Sequence, residues 1–176
     1  FQHFKLIAES VSIDQILYNV PGRTAVDMSV DTTSRLSEIS NIIGIKDATG
    51  DLSVIKELVA KCPEDFLLLT GDDATAIDFL LLGGHGGISV TANVTPKELQ
   101  KAYLAAIAGN AEVAKKLNEG LSGLHKNLFI ESNPIPVKWA LHKMGKCDNG
   151  IRLPLLELSN ECKTVLENDL KELNLI

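Results

Sequence analysis

The sequence has no basic run interleaved with aromatic residues, and no apolar run near the ~20 residues of a membrane span. With a net charge of -6 and a pI near 5.2, nothing in it points to nucleic acid or an anionic membrane as partner. Cysteine is scarce: Cys62, Cys147 and Cys162 stand far apart with no CxxC. An odd, unclustered set suits reduced thiols in a cytoplasm better than a disulfide framework. The four histidines, His3, His85, His125 and His142, lack metal-ligand spacing, so they read as structural or surface and no metal is expected. No low-complexity linker and no fixed-period repeat occurs. There is neither an initial methionine nor a signal peptide, and FQHFKLIAES reads as the end of a helix already under way. The expectation is a piece of a longer protein.

What is present is ordinary globular material: 176 residues, 45% hydrophobic and 23% charged, enough for one domain or one domain with a small appendage. Phe4, Ile7 and Ala8 recur at helical spacing within Phe1–Ser10. Ile13–Val20 is a predicted strand closed by Pro21-Gly22, followed by a helix over Val30–Ile39 capped by Ser29 or Asp31. A second strand covers Asn41–Lys46. Asp51 is placed to cap a helix bearing Leu52, Ile55, Leu58 and Val59. Phe66–Thr70 is a third strand, Asp72 or Asp73 caps a helix over Ala74–Leu82, and Gly87–Thr91 is a fourth strand. Thr95-Pro96-Lys97-Glu98 has the form of a capping box with proline at the first helical position, opening a helix that runs to Gly109.

Strand and helix thus alternate four times with short connections, which argues a parallel sheet with helices outside. From Asn110 only helices are predicted: Ala111–Phe129, one from Asn133-Pro134 to Gly145, and one from Ser159 with Cys162, Val165, Leu166, Leu170 and Leu173 on a stripe. The expected division is 1–109 and 110–176.

The stretch Asn41–Asp51, NIIGIKDATGD, carries the chemistry. Strict alternation puts Ile42, Gly44 and Lys46 on one face and Ile43 and Ile45 on the other, with Gly44 leaving room beside the lysine. An ammonium buried without a partner is costly, and the usual response is a lowered pKa. A neutral lysine amine forms a Schiff base with a ketone. Alone, Lys46 reads equally as a strand-end lysine that reaches water. Tyr18 reads as a core aromatic, Arg23 as a surface arginine and Gly71 as a turn glycine. Every strand, however, ends in polar residues, at Tyr18–Thr24, Lys46, Thr70–Asp73 and Ser89–Asn93. In (β/α) barrels the chemistry lies at the carboxyl ends of the strands.

Tyr18–Thr24 (YNVPGRT), Ile43–Asp51 (IGIKDATGD) and Gly84–Asn93 (GHGGISVTAN) resemble the pyruvate-dependent class I aldolase family, in order and spacing, over the whole chain. Asn133–Leu141 (NPIPVKWAL) and Arg23 point to the branch that condenses pyruvate with aspartate semialdehyde in lysine (diaminopimelate) biosynthesis. The resemblance implies an α/β fold of the (β/α)8 TIM-barrel family, with this chain as the second half of the barrel plus a carboxyl-terminal helical domain. It implies a carbon–carbon lyase, cytoplasmic and homo-oligomeric, a tetramer in the family, that needs no cofactor. Lys46 resembles the Schiff-base lysine and Tyr18 the proton-relay tyrosine. Arg23 resembles the residue that grips the carboxylate of aspartate semialdehyde, while Gly71 and the backbone of Ile88 resemble parts of the pyruvate pocket. A sibling aldolase acting on another aldehyde, or a non-catalytic half-barrel, are the alternatives.

Two departures stand out. Ala25 occupies a position where many relatives carry glycine. The family's first half, with a Thr-Thr pair near pyruvate, a tyrosine lent by a neighbouring subunit and a lysine feedback site, is missing from the sequence. The chain alone is therefore expected to be inactive.

Overall fold

A computed structural model describes all residues, Phe1–Ile176. The chain forms two compact units, Phe1–Ser89 with Tyr103–Ala111, and Val90–Ala102 with Glu112–Ile176. No helix is long and apolar enough to cross a membrane. All three cysteines are free.

The first unit opens with α1 (Gln2–Ser10) and β1 (Gln15–Asn19). A single helical turn, α2 (Pro21–Thr24), follows where only a closing turn was expected. Its proline sits at the start, where a missing N–H costs nothing. It ends at Ala25, whose φ of 55° is left-handed. A glycine would adopt that conformation without the Cβ penalty that Ala25 bears.

Helix α3 (Val30–Leu36) is shorter than predicted, and Ser29 caps it by accepting from Thr32 N–H at 3.2 Å. Strand β2 (Ile42–Asp47) leads into α4 (Leu52–Lys61), whose cap Asp51 accepts from Ser53 N–H at 2.8 Å. Ile55 and Leu58 of α4 are buried while Val59 is exposed, so the apolar stripe is narrower than predicted. Each fully buried leucine or isoleucine contributes about 1.5–3 kcal/mol.

Strand β3 (Leu67–Thr70) is followed by α5 (Ala76–Leu81). The residue at its N-cap is Thr75, not an aspartate. Asp72 instead accepts from the N–H and hydroxyl of Thr75, the residue before its first turn.

The sheet is parallel in the order β1-β2-β3-β4, which leaves β1 and β4 as its two edges. Strand β4 contains only Gly86–Gly87, not the predicted Gly87–Thr91. The reason lies in its neighbour. β3 ends at Thr70, so beyond the bond from Ile88 N–H to Thr70 C=O the chain has no further strand to pair with. It turns instead into a 3-10 turn at Thr91–Asn93. His85 extends the short ladder by one position, its ring Nδ1 accepting from Leu68 N–H at 2.9 Å.

The strict alternation predicted for β2 also fails. Gln15 pairs with Ile42 and Ile16 with Gly44, so β2 carries one extra residue at Ile43. Ile42 therefore joins Ile45 in the core, with Leu17, Leu36, Ile55, Leu58, Phe66, Leu68 and Phe79. Gly44 is the residue whose Cβ would lie 2.7 Å from both Cβ and carbonyl oxygen of Leu67, so it serves close strand approach rather than space for Lys46.

Helix α6 (Pro96–Ile107) begins with proline as predicted, but the Thr95 hydroxyl is buried without a hydrogen-bond partner, so that half of the expected capping box is absent. The single helix predicted over Ala111–Phe129 is two, α7 (Ala111–Glu119) and α8 (Ser122–Asn127), separated near Gly120. Helix α9 (Ile135–Lys143) stops before Gly145, whose φ is +70°. Helix α10 (Asn160–Glu172) is capped by Ser159. The second unit's core gathers Leu124, Leu128, Val137, Trp139, Leu166 and Leu170.

Candidate active site

The paired strands set the site. Tyr18 of β1 and Lys46 of β2 are direct partners across the ladder, so their side chains leave the sheet on the same side. Lys46 Nζ lies 4.2 Å from the centre of the Tyr18 ring. The ammonium meets the ring face and not the hydroxyl, and Lys46 makes no ion pair.

This is the face opposite the helices. Ile16, Tyr18 and Ile88 are 43%, 48% and 50% exposed, whereas Leu17, Ile45 and Leu68 on the helix-covered face are buried. Ile42, expected on the face of Lys46, belongs to the covered one, as does Leu68.

Gly71 comes to Lys46 directly. A Cβ at Gly71 would stand 2.5 Å from Lys46 Cε and 3.3 Å from its Cγ. The space for the lysine is therefore cleared by Gly71. The Gly71 N–H donates to the Asp47 carbonyl at 2.6 Å, which locks it beside β2. Ile88 adjoins it, its N–H donating to Thr70 C=O at 2.9 Å. Four of the five predicted residues thus gather at one strand-end rim. Arg23 is exposed on α2, and no hydrogen bond or ion pair joins its side chain to Lys46 or Tyr18.

Two residues went unnoticed at the sequence level. Asn19 and Asp47, each one residue after Tyr18 and Lys46, point to the opposite face and are 3% and 4% exposed. Asn19 Nδ2 donates to Asp47 Oδ2 and to Asp27 Oδ1, both at 2.9 Å. Asp47 Oδ1 also accepts from the N–H and hydroxyl of Thr49. Their signal was present in the motifs: a polar residue, on a strand, at the position that must face the helices.

Chemically, the rim offers a primary amine beside a phenol ring, with a glycine clearing the approach. An amine so placed can add to a carbonyl, and a phenol within ~2.6–3.2 Å of the reacting atoms can move protons. No cluster of His, Cys, Asp or Glu that could hold a metal ion is present.

The dihydrodipicolinate synthetase family model matches residues 1–173. The 4-hydroxy-tetrahydrodipicolinate synthase of Ruthia magnifica subsp. Calyptogena magnifica is 62% identical over 176 residues, which is 100% of this chain and 60% of that protein. The synthase of Pseudomonas aeruginosa is 56% identical over 172 residues, covering 98% and 59%. Among solved structures, the chloride-inhibited dihydrodipicolinate synthase of Acinetobacter baumannii complexed with pyruvate superposes with a TM-score of 0.96 at 52% identity, covering 99% of this chain and 60% of that one. The chain thus spans about 60% of the length of the curated relatives it matches. With a family model across nearly its whole length, and with its motifs gathered on one sheet rim, the chain belongs to the dihydrodipicolinate synthetase family.

Proposed function

We propose that this chain supplies the Schiff-base half of a 4-hydroxy-tetrahydrodipicolinate synthase. The carrying observation is the Tyr18–Lys46 pair on the open face of the sheet, over Gly71. The Lys46 amine adds to the ketone carbon of pyruvate, and loss of water leaves an imine. Loss of a methyl proton gives the enamine, with Tyr18 relaying protons. The enamine carbon attacks the aldehyde of aspartate semialdehyde and forms the new carbon–carbon bond. Cyclisation through the semialdehyde's amine displaces Lys46 and releases the heterocycle. The imine nitrogen is the electron sink, so the sequence of steps calls for no cofactor.

Arg23 receives the carboxylate of aspartate semialdehyde in this scheme, because a guanidinium fork suits a bidentate carboxylate. Its exposure and its freedom from an ion pair support that role. Gly71 and the Ile88 backbone border the pyruvate. A sibling aldolase for another aldehyde would have no evident use for Arg23.

The four strands are read as the second half of a (β/α)8 barrel over 1–109, with 110–176 a carboxyl-terminal helical domain. The two free sheet edges and the exposed Ile16, Tyr18 and Ile88 support that reading. The assembled enzyme is a cytoplasmic homo-oligomer in this proposal.

Treating the assembled protein with pyruvate and borohydride, then mapping the adduct by peptide mass spectrometry, tests the reading. The label should fall on Lys46. A label on Lys56 or Lys61 with none on Lys46 would refute it.

A further inference from the structure

We propose that Asn19 is a positioning residue for Arg23: its side chain closes the base of the 20–28 loop on whose tip the arginine rides. The proposal rests on the function proposed above only for what Arg23 does, not for the clamp itself.

The loop leaves β1 at Asn19 and returns to the same residue. Met28 N–H donates to Asn19 Oδ1 at 3.1 Å, and Asp27 Oδ1 accepts from Asn19 Nδ2 at 2.9 Å. The other Nδ2 hydrogen goes to Asp47 Oδ2 at 2.9 Å. The Asn19 carbonyl accepts from Ala48 N–H at 2.9 Å. One side chain thus ties the outgoing end of the loop, the returning end and the residue next to Lys46.

Only a primary amide fits this set of partners. Two carboxylates demand two N–H donors, and an amide N–H demands an acceptor. Those demands also fix which end of the Asn19 amide is oxygen. At 3% exposure, neither donor has water as a substitute.

The rest of the loop is held less well. Within α2, Ala25 N–H reaches Pro21 C=O, and the Thr24 hydroxyl donates to Val26 C=O. These bonds are internal, so they shape the loop without attaching it to the sheet. Ala25 is left-handed at φ 55°, a conformation that L side chains resist and that local sequence would not hold unaided. Met28 packs against the first unit's core at the returning end, and the polar attachment to the sheet is Asn19. Loosening it moves Arg23 relative to Tyr18 and Lys46, and misplacement by about 1 Å can cost on the order of 10²-fold in rate.

The test uses the full-length, assembled enzyme with Asp27→Ala, Asp27→Asn and Asn19→Ala. Asp27 is exposed, so its variants keep the test alive should Asn19→Ala fail to fold. In Asp27→Ala the KM for aspartate semialdehyde should rise about tenfold, with pyruvate trapping on Lys46 unchanged. Asp27→Asn, which retains an oxygen acceptor, should restore it. Hydrogen exchange across 20–28 should quicken in Asp27→Ala, and most at Met28 in Asn19→Ala. An unchanged KM for the semialdehyde, an equal loss of pyruvate trapping, or no rescue by asparagine overturns the proposal. Should Lys46 of the unaltered enzyme fail to trap pyruvate, the aldolase reading falls. The clamp then stands if exchange quickens and falls if it does not.

Discussion

Lys46 Nζ sits over the face of the Tyr18 ring, 4.2 Å from its centre, because the two residues are direct partners in the β1-β2 ladder. At an exposed site such a cation–π contact contributes about 0.5–1 kcal/mol, enough to bias the lysine and too little to trap it. The amine can leave the ring when a carbonyl arrives.

The ring and the hydroxyl of Tyr18 therefore have separable roles. Tyr18→Phe keeps the ring beside the lysine and removes only the hydroxyl, the proposed proton relay. Rates of imine formation should fall about 10²–10⁴-fold, the usual worth of a general acid–base group. Stability should hardly change, since the side chain is half exposed and its hydroxyl has no partner to lose. Stopped-flow imine formation beside thermal unfolding separates the two. A variant that forms the imine at the original rate removes Tyr18 from the mechanism.

Gly71→Ala probes the space for the lysine. Its Cβ would fall 2.5 Å from Lys46 Cε and 3.0 Å from Ala48 Cβ. The lysine arm is flexible and can yield, so the fold should survive. The amine would then be displaced, and trapping by borohydride should slow on the order of 10²-fold. Normal trapping in a folded Gly71→Ala protein would contradict the assignment of that space.

Asp169, in the second unit, gives a pH signature. Burial pushes its carboxyl above the ordinary value, only partly offset by the bond from Asn127 Nδ2 at 2.7 Å, with the Glu172 carboxylate adding to the rise. A raised value means the folded chain binds that proton more tightly than the unfolded chain does. Its contribution to stability is thus fully present below the unfolded value near 3.8 and is lost as pH rises through the folded value. Asp169→Asn keeps an acceptor for Asn127 and removes the charge. Its stability advantage over the original protein, measured by denaturant unfolding, should be absent below that window and grow across it. An advantage independent of pH would refute this account.

The chain by itself should not be a competent enzyme. Its sheet ends in two free edges, and the face bearing Ile16, Tyr18 and Ile88 lacks a covering wall. At ~25 cal/mol per Å², leaving such apolar surface in water removes a sizeable part of a domain's marginal stability. Expression of Phe1–Ile176 alone should yield self-associated or aggregated material with little turnover of pyruvate and aspartate semialdehyde. A soluble monomer with full activity would be the contrary result, and activity restored by a complementary half-barrel the confirming one.

Much of the fold was legible locally. Ser29 and Asp51 were readable as caps because a side-chain oxygen and the next turn's N–H groups are neighbours in sequence. The β-α alternation was readable from apolar runs and their punctuation. Tyr18 and Lys46 stood in motifs, and Gly71 stood at a strand end.

What escaped depends on partners distant in sequence. Apolar periodicity can nominate Gly87–Thr91 as a strand, but only the end of β3 at Thr70 decides that pairing stops at Gly87. Alternation places Ile42 beside Lys46, and only the two-against-one register with Gln15 and Ile16 turns it into the core. Gly44 and Gly71 look equally spacious in the sequence. One is filled by the Leu67 backbone and the other by the lysine itself. Asn19 is one more polar residue in a motif until Asp27 and Asp47 arrive from 8 and 28 residues away. The sequence by itself determined the local elements, their caps and the residues able to do chemistry, because those rest on nearest-neighbour sterics and side-chain type. Register, the exposed face and the Asn19 clamp were decided by the tertiary structure, because each depends on which distant backbone or carboxylate completes a hydrogen bond or fills a volume.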